Sequence, residues 1–160
     1  MDAKELKQYL SCKGITVDED DLPRILEVSL YWNVLVRRGS TSVAYTTVAT
    51  EVFYLHRLVT NAPPHLMVDH IDGNGLNNKK TNLRLCNNQQ NCMNQKPRGG
   101  RKYKGISKLP SGKYRARVTI DGSHFNLGVF KTEQEAAIAY NEWAIKIYGE
   151  FARLNVVEER

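Results

Sequence analysis

Long apolar runs are missing from this 160-residue chain. No stretch approaches the roughly 20 apolar residues that a membrane span needs, and the opening MDAKELKQYLSCKG is too charged for a signal peptide. Such a chain is expected to remain in the cytoplasm, with no membrane partner. Cysteine is scarce too. Cys12, Cys86 and Cys92 are odd in number and contain no C-x-x-C pair, which excludes a disulfide framework or a paired-cysteine zinc site and leaves reduced thiols. The largest gap is in charge of one sign: from Gly73 to Ile120 there is no Asp or Glu, against 12 Lys or Arg residues. Residues 1–72 carry 7 basic and 10 acidic side chains, and residues 121–160 carry 4 and 7, a net of −3 in each case. The overall charge of +6 therefore sits in the middle third. A cationic block of 48 residues repels itself unless a polyanion accompanies it, and nucleic acid is the natural polyanion.

What is present reads as one ordinary domain or two small ones. Residues 2–12 form a short amphipathic helix pattern, with Leu6 and Tyr9/Leu10 at helical spacing and Gly14 placed to end it. Asp18-Glu19-Asp20-Asp21 reads as a solvated turn, because consecutive carboxylates cannot all converge on one ion. From Ile25 to Phe53, ILEVSLYWNVLVRR and TSVAYTTVATEVFY predict a pair of strands separated by Gly39-Ser40. Lys96-Pro97-Arg98-Gly99-Gly100-Arg101-Lys102 breaks any helix and keeps the backbone solvated, so it predicts a linker, with domains at 1–97 and 98–160.

Beyond the linker, Tyr114, Ala116, Val118 and Ile120 alternate with Lys113, Arg115, Arg117 and Thr119, giving a strand with one apolar and one cationic face. Asp121-Gly122 signals a hairpin, and Phe125, Leu127 and Val129 are expected to continue the apolar side. Thr132-x-x-Glu135 matches a capping box opening a helix to about Tyr148, stopped by Gly149. Ala136, Tyr140, Trp143/Ala144 and Ile147 share a face that would pack on the sheet, leaving the other sheet face for a partner.

The chemistry concentrates in HLMVDHIDGNGLNNKKTNLRLCNNQQNCMNQ, residues 65–95. Val68-Asp69-His70-Ile71, Asn82-Leu83-Arg84 and Asn91 stand at set intervals, twelve residues from His70 to Asn82 and nine more to Asn91. Hydrolysing a phosphodiester requires a deprotonated water, positive charge at the non-bridging and leaving oxygens, and attack aligned opposite the leaving group. A neutral imidazole, with pKa near 6.5, is well matched to taking a proton at neutral pH, so His70 is the candidate base. Asp69 precedes it on a strand, where neighbours point to opposite faces; both can serve one centre only if the strand twists or ends there. The amide oxygen of Asn91 is a hard donor of the type that suits Mg²⁺ or Mn²⁺.

Taken together, these residues resemble the HNH family of nucleases over roughly residues 52–95, in the H-N-N form common in phage and intron homing endonucleases. The resemblance implies a β-hairpin and helix forming a ββα metal core at about 65–95. It assigns Asp69 and Asn91 as ligands of one Mg²⁺ or Mn²⁺, His70 as general base, and Asn82 as a brace that orients His70. It also implies a single-metal mechanism, in which the ion stabilises charge on the leaving 3′ oxygen and leaves 5′-phosphate and 3′-hydroxyl ends. No small-molecule cofactor is called for. A bacterial cytoplasm, with a phage among the admissible sources, is the implied setting. Lys79, Lys80 and Arg84 lie beside the site as phosphate contacts or plain solvated surface. Asp72, Asn74, Asn77 and Asn78 read as turn formers and caps. His56-Arg57 also matches a family feature; it reads as scaffold, with Arg57 an outside candidate for phosphate. A zinc site from His65, Cys86 and Cys92 lacks close-spaced ligand pairs.

Tyr103-Lys104-Gly105-Ile106-Ser107, Gly112-Lys113-Tyr114-Arg115-Ala116, Leu127-Gly128-Val129-Phe130, Tyr140-Asn141 and Gly149-Glu150-Phe151-Ala152-Arg153-Leu154-Asn155 resemble the plant APETALA/ethylene-response-factor DNA-binding domain over about residues 101–155. The resemblance implies three antiparallel strands packed on one helix, with the sheet laid in the major groove of double-stranded DNA. Arginines can bond guanine edges bidentately there, which makes Arg115 and Arg117 the candidate base readers. Lys104, Lys108, Lys113 and Thr119, with Arg101 and Lys102, are candidate phosphate contacts that position without specifying sequence.

The fold expectation is thus α+β, a ββα-metal nuclease domain followed by a small three-stranded antiparallel sheet on one helix. The functional expectation is a site-selective DNA endonuclease of homing or mobile-element type, nicking one strand as a monomer or weak dimer. The alternative is a non-enzymatic DNA-binding regulator on a nuclease scaffold. RNA binding is weaker, since no stacking platform of the usual aromatic kind is evident.

Overall fold

The computed structural model describes residues 1–36, 41–97 and 99–158. The expected Gly39-Ser40 turn and Arg98 of the linker lie outside the described residues. The fold is α+β with small antiparallel sheets and divides into two compact units, Met1–Asn91 and Cys92–Arg160. This division falls before the expected boundary at 97/98. Lys104 Nζ donates to the carbonyls of Cys92 and Met93, and Arg153 reaches those of Met93 and Asn94, which places the 92–94 backbone in the second unit.

In the first unit, α1 (Ala3–Cys12) is opened by a reciprocal Asp2/Glu5 capping box and buries Leu6 and Leu10 at the i,i+4 spacing of one face. A 3₁₀ turn (Glu19–Asp21) then runs into α2 (Leu22–Val28). Here the strand expectation fails. Pro23 stands in the first turn, where its fixed φ suits a helix and its missing N–H goes unused, and Leu22 and Ile25 share the buried face. Among the described residues of that segment, the strand is Asn33–Leu35, β1. The second run folds into two strands, β2 (Val43–Val48) and β3 (Glu51–Tyr54), turning at Ala49 with φ 54°. These form an antiparallel sheet in the order β1-β2-β3. Then come α3 (Leu55–Thr60), β4 (Met67–His70), a 3₁₀ turn (Lys80–Asn82), β5 (Leu83–Cys86) and α4 (Asn88–Met93). Leu6, Leu10, Ile25, Trp32, Leu55 and Leu83 belong to one buried cluster, which joins the helices to the β4–β5 hairpin.

Two devices fix the approach to that hairpin. Arg57 on α3 donates to the carbonyls of Leu66 (2.8 Å), Ala62 (3.1 Å) and Pro63 (2.8 Å), so it is a strut for the segment entering β4 rather than a phosphate contact. Gly75, in the hairpin loop, lies so close to the segment entering β2 that an added Cβ would sit 2.1 Å from the carbonyl oxygen of Ser42. Gly75→Ala should therefore push the loop off the Ser42 carbonyl and the Thr41 side chain and lower stability by about 1–3 kcal/mol, the usual range for overpacking. Urea unfolding checks this, and an unchanged midpoint would contradict it.

The second unit holds β6 (Ile106–Lys108), β7 (Tyr114–Ile120) and β8 (Ser123–Phe130) in antiparallel order, packed against α5 (Glu133–Tyr148). Thr132 and Glu135 make the expected capping box. Ala116 and Val118 meet Ala136, Tyr140 and Ala144 in the core, and the Tyr148 hydroxyl donates to Thr119 O and accepts from Thr119 N. Trp143 departs from expectation: it is 46% exposed, with Lys146 over its ring at 5.6 Å, while Ala137 and Tyr148 are buried instead. The apolar side of β8 also differs. Ala116 pairs with Gly128 but Arg117 pairs with Asn126, so Leu127 is the extra residue of a bulge. Alternation resets across it, and Val129 stands opposite Arg115 on the outer face. Phe125 and Val129 are 49% and 48% exposed.

Candidate functional site

The hairpin register places Met67 opposite Cys86, Val68 opposite Leu85, Asp69 opposite Arg84 and His70 opposite Leu83. β4 ends at His70, the condition under which adjacent residues can serve one centre. Asp69 and His70 are both buried. Their environments differ. Asp69 Oδ2 accepts from Arg84 Nε at 2.9 Å and Nη2 at 2.7 Å, a cross-strand ion pair that is itself largely out of water. Arg84, expected at phosphate, is thus engaged with the expected metal ligand.

His70 stacks edge-on against His56, ring centroids 5.3 Å apart, and His56 in turn stacks on Tyr54 at 5.7 Å. Burial pushes the His70 pKa below its ordinary value, and the Asn78 contact and the charges of Asp72 and Asp69 only partly oppose it. At neutral pH the imidazole is neutral.

The loop that closes the hairpin is tied by amides. Asn82 Oδ1 accepts from Asp72 N (3.0 Å), and its Nδ2 donates to Asp72 Oδ1 (3.0 Å) and Asn77 O (2.8 Å). Asn82 therefore spans the loop that begins at His70. Asp72 also accepts from Asn74 N and Asn77 Nδ2. Burial would raise its pKa, but the bonds from Asn77, Asn74 and Asn82 and the neighbourhood of His70 outweigh that and hold it low. Asp72 and Asn77 are thus hubs of the loop, beyond the turn-forming role that sequence suggests.

The N-terminal segment clasps the same loop. Thr16 pairs with Asn77 as a parallel bridge, Asn78 N donates to Thr16 O (2.8 Å), and Lys80 N donates to Asp18 Oδ2 (2.8 Å). Lys80 Nζ pairs with Asp21 at 2.7 Å, and Asp21 is 5% exposed. Asp18 and Asp21 of the acidic run are therefore tied to this loop, while Glu19 and Asp20 are exposed as a solvated turn would have them, and Lys80 has a structural partner. Lys79 is exposed.

Asn91 is half-buried on α4, with Nδ2 3.9 Å from Met67 Sδ. Met67 and Asp69 are two apart on β4 and share a face, so Asn91 meets the strand on the side that carries Asp69. A carboxylate and an amide are hard-oxygen donors that fit a hydrated Mg²⁺ or Mn²⁺, which keeps several waters. Zinc fits poorly: burial and the Asp69 charge push the Cys86 thiol up to about 11, away from the thiolate that zinc takes. Among the described residues no group of three or more His, Cys, Asp or Glu can hold a metal.

Sequence reasoning gave Asn78 only a turn-forming or capping role, whereas its side chain meets His70. It is fully buried, with Oδ1 3.4 Å from His70 Nε2. The only sequence signal was a pair of adjacent amides in a loop otherwise made of turn residues.

On the second unit, Arg115, Arg117 and Thr119 share the outer sheet face with Ser107, His124, Asn126 and Val129. Arg115 and Arg117 are half-buried, and Thr119 Oγ1 lies 2.9 Å from His124 Nδ1. Lys108, Lys113, Arg101 and Lys102 are exposed. Lys104, by contrast, is occupied in holding the Cys92 and Met93 carbonyls. No helix among the described residues is long and apolar enough to cross a membrane.

Comparison with known proteins finds both resemblances. An uncharacterized HNH endonuclease of Acanthamoeba polyphaga mimivirus is 38% identical over 96 residues, 60% of this chain and 50% of its own. Dehydration-responsive element-binding proteins 2D and 2C of Arabidopsis thaliana are 36% identical over 88 residues and 41% over 58. These matches cover 51% and 35% of this chain, and 42% and 17% of the plant proteins. The chain thus spans about half the length of the viral relative and less of the plant ones. No family model and no solved structure matches it.

Proposed function

We propose that the chain is a metal-dependent, site-selective DNA endonuclease of homing or mobile-element type. The observation that carries this reading is the pairing of a buried, neutral His70 with Asp69 at the end of β4, behind a loop laced by Asn82. In this reading β4, β5 and α4 are the ββα core. His70 takes the proton from the attacking water, and Asn82 keeps the loop after His70 in place so that the ring holds its direction. Asp69 and Asn91 would hold one Mg²⁺ or Mn²⁺, which supplies positive charge for the leaving 3′ oxygen. Arg84 would share Asp69 with that ion and turn its remaining N–H groups to phosphate. Double-stranded DNA is the partner, and one such centre per chain cuts one strand, as a monomer or weak dimer.

The second unit chooses the position. Its outer sheet face offers Arg115 and Arg117 to base edges, while exposed Lys108, Lys113, Arg101 and Lys102, with Thr119, meet phosphate. Lys79, exposed on the first unit, is a further candidate phosphate contact there. The test is incubation of the whole chain with supercoiled plasmid and Mg²⁺, Mn²⁺ or chelator. Nicked circles with 5′-phosphate and 3′-hydroxyl ends are expected with either metal and none with chelator. Binding without nicking under every metal would favour the second reading, a DNA-binding regulator on a nuclease scaffold. That reading draws its support from the Arg84–Asp69 pair, which neutralises the expected ligand.

The pH dependence has a definite sign. Protonated His70 cannot accept a proton, and burial holds its pKa below the ordinary value of about 6.5. The nicking rate should therefore stay level from neutral pH down past about 6.5 and fall only below it. The same depression means that the unfolded chain binds a proton the folded chain refuses, so stability declines over the same acid range. A rate profile that is flat across that range, or that breaks above it, would remove His70 from the base role.

A further inference from the structure

We propose that Asn78 is the positioning residue of the His70 imidazole: its buried side-chain oxygen holds Nε2 as the protonated nitrogen, which makes Nδ1 the nitrogen that takes the proton from water. The inference rests on His70 acting as the base. Asn78 is 0% exposed, and its Oδ1 lies 3.4 Å from His70 Nε2. Its Nδ2 has no hydrogen-bond partner among the described residues. A carbonyl oxygen and a ring nitrogen share a hydrogen bond only if the nitrogen carries the hydrogen, and a neutral imidazole has one such nitrogen. The separation is long for a hydrogen bond, as catalytic contacts often are before substrate tightens them.

Stability alone would not choose asparagine here. Burying an amide with an unpartnered NH₂ is unfavourable, and a leucine of similar size would avoid it. The backbone of this position is held independently, by Asn78 N to Thr16 O and by the neighbouring Thr16–Asn77 bridge. The side chain can thus be exchanged with the loop still anchored. His56 fixes the ring from another side through its edge contact, so the ring plane is set by packing and its protonated end by Asn78.

The test compares the whole wild-type chain with Asn78→Leu, Asn78→Asp and His70→Ala. It measures single-turnover nicking with Mn²⁺, plasmid affinity, thermal melting and, without metal, the nitrogen-15 tautomer pattern of His70. The wild type should show the hydrogen on Nε2, a result that needs no variant. Asn78→Leu should melt at or above the wild-type temperature, yet nick about 30- to 100-fold more slowly at unchanged affinity, because the ring loses its fixed protonation and direction. Asn78→Asp keeps an acceptor oxygen but buries a charge, so it should melt lower while nicking within about fivefold of wild type. A purely structural role ranks the two variants the same way in both readouts. A wild-type hydrogen on Nδ1, or Asn78→Leu nicking as well as Asn78→Asp, overturns the role of Asn78. If His70→Ala is inactive and Asn78→Leu fully active, that role alone falls; if His70→Ala is active, the base assignment falls with it.

Discussion

Replacing His70 with alanine is expected to slow strand cleavage by about 10²–10⁴-fold, the usual contribution of a positioned general base, while leaving the affinity for DNA within about twofold. The two readouts separate because binding and chemistry draw on different groups. Affinity for nucleic acid comes mainly from cations meeting phosphate, and those are the exposed lysines and arginines of both units. His70 is buried, neutral and outside that set. The substitution also leaves a void beside His56, Leu83 and Asn78, so its folding should be verified by melting before the rate is read. A folded His70→Ala that cleaves at the wild-type rate would show that another group takes the proton.

The second large effect concerns Arg84. Asp69 is 6% exposed and receives two bonds from Arg84 on one oxygen. Removing one member of a buried pair leaves the other charge without its compensation, at a cost of about 3–5 kcal/mol, whereas removing both is far milder. Arg84→Ala should accordingly lower the stability of the first unit by that range, and Asp69→Asn added to it should recover most of the loss. The same variant probes the metal. With the guanidinium gone, a divalent cation bound at Asp69 would supply the positive charge that Arg84 supplied, so millimolar Mg²⁺ or Mn²⁺ should raise the melting temperature of Arg84→Ala more than that of the wild type. An Arg84→Ala chain that melts like the wild type would mean that the pair carries no weight. Equal metal responses in both would remove Asp69 from the ligand set.

Local patterns in the sequence were the legible ones. Asp2 with Glu5 and Thr132 with Glu135 announced the starts of α1 and α5, and the alternation around Tyr114–Ile120 announced a strand with a cationic face. The nuclease resemblance carried by Asp69-His70, Asn82 and Asn91 implied a hairpin followed by a helix, and β4, β5 and α4 follow in that order. What escaped depended on distant partners. Nothing in Asp18–Asp21 shows that the chain returns Lys80 to it; the signal that a carboxylate is buried lies in the fold. Val129 is outward because of a bulge, and one extra residue reverses every side chain beyond it. Ile25–Val28 carries strand-like residues, yet Pro23 at a helix start and the pull of the core on Leu22 and Ile25 override that propensity. Asn78 is the subtlest case, since adjacent asparagines in a loop look alike while one spans the turn and the other faces the histidine.

The most direct measurement is a map of cut positions on a genomic DNA library digested with Mg²⁺ by the whole chain and by its Arg115→Ala/Arg117→Ala variant. Wild type should cut at a small number of discrete positions, and the variant should cut at dispersed ones, since the centre on the first unit is intact and the outer sheet face no longer reads base edges. Discrete cuts at the same positions in both would contradict the assignment of targeting to the second unit. No cuts by wild type, on DNA that it demonstrably binds, would contradict the nuclease itself.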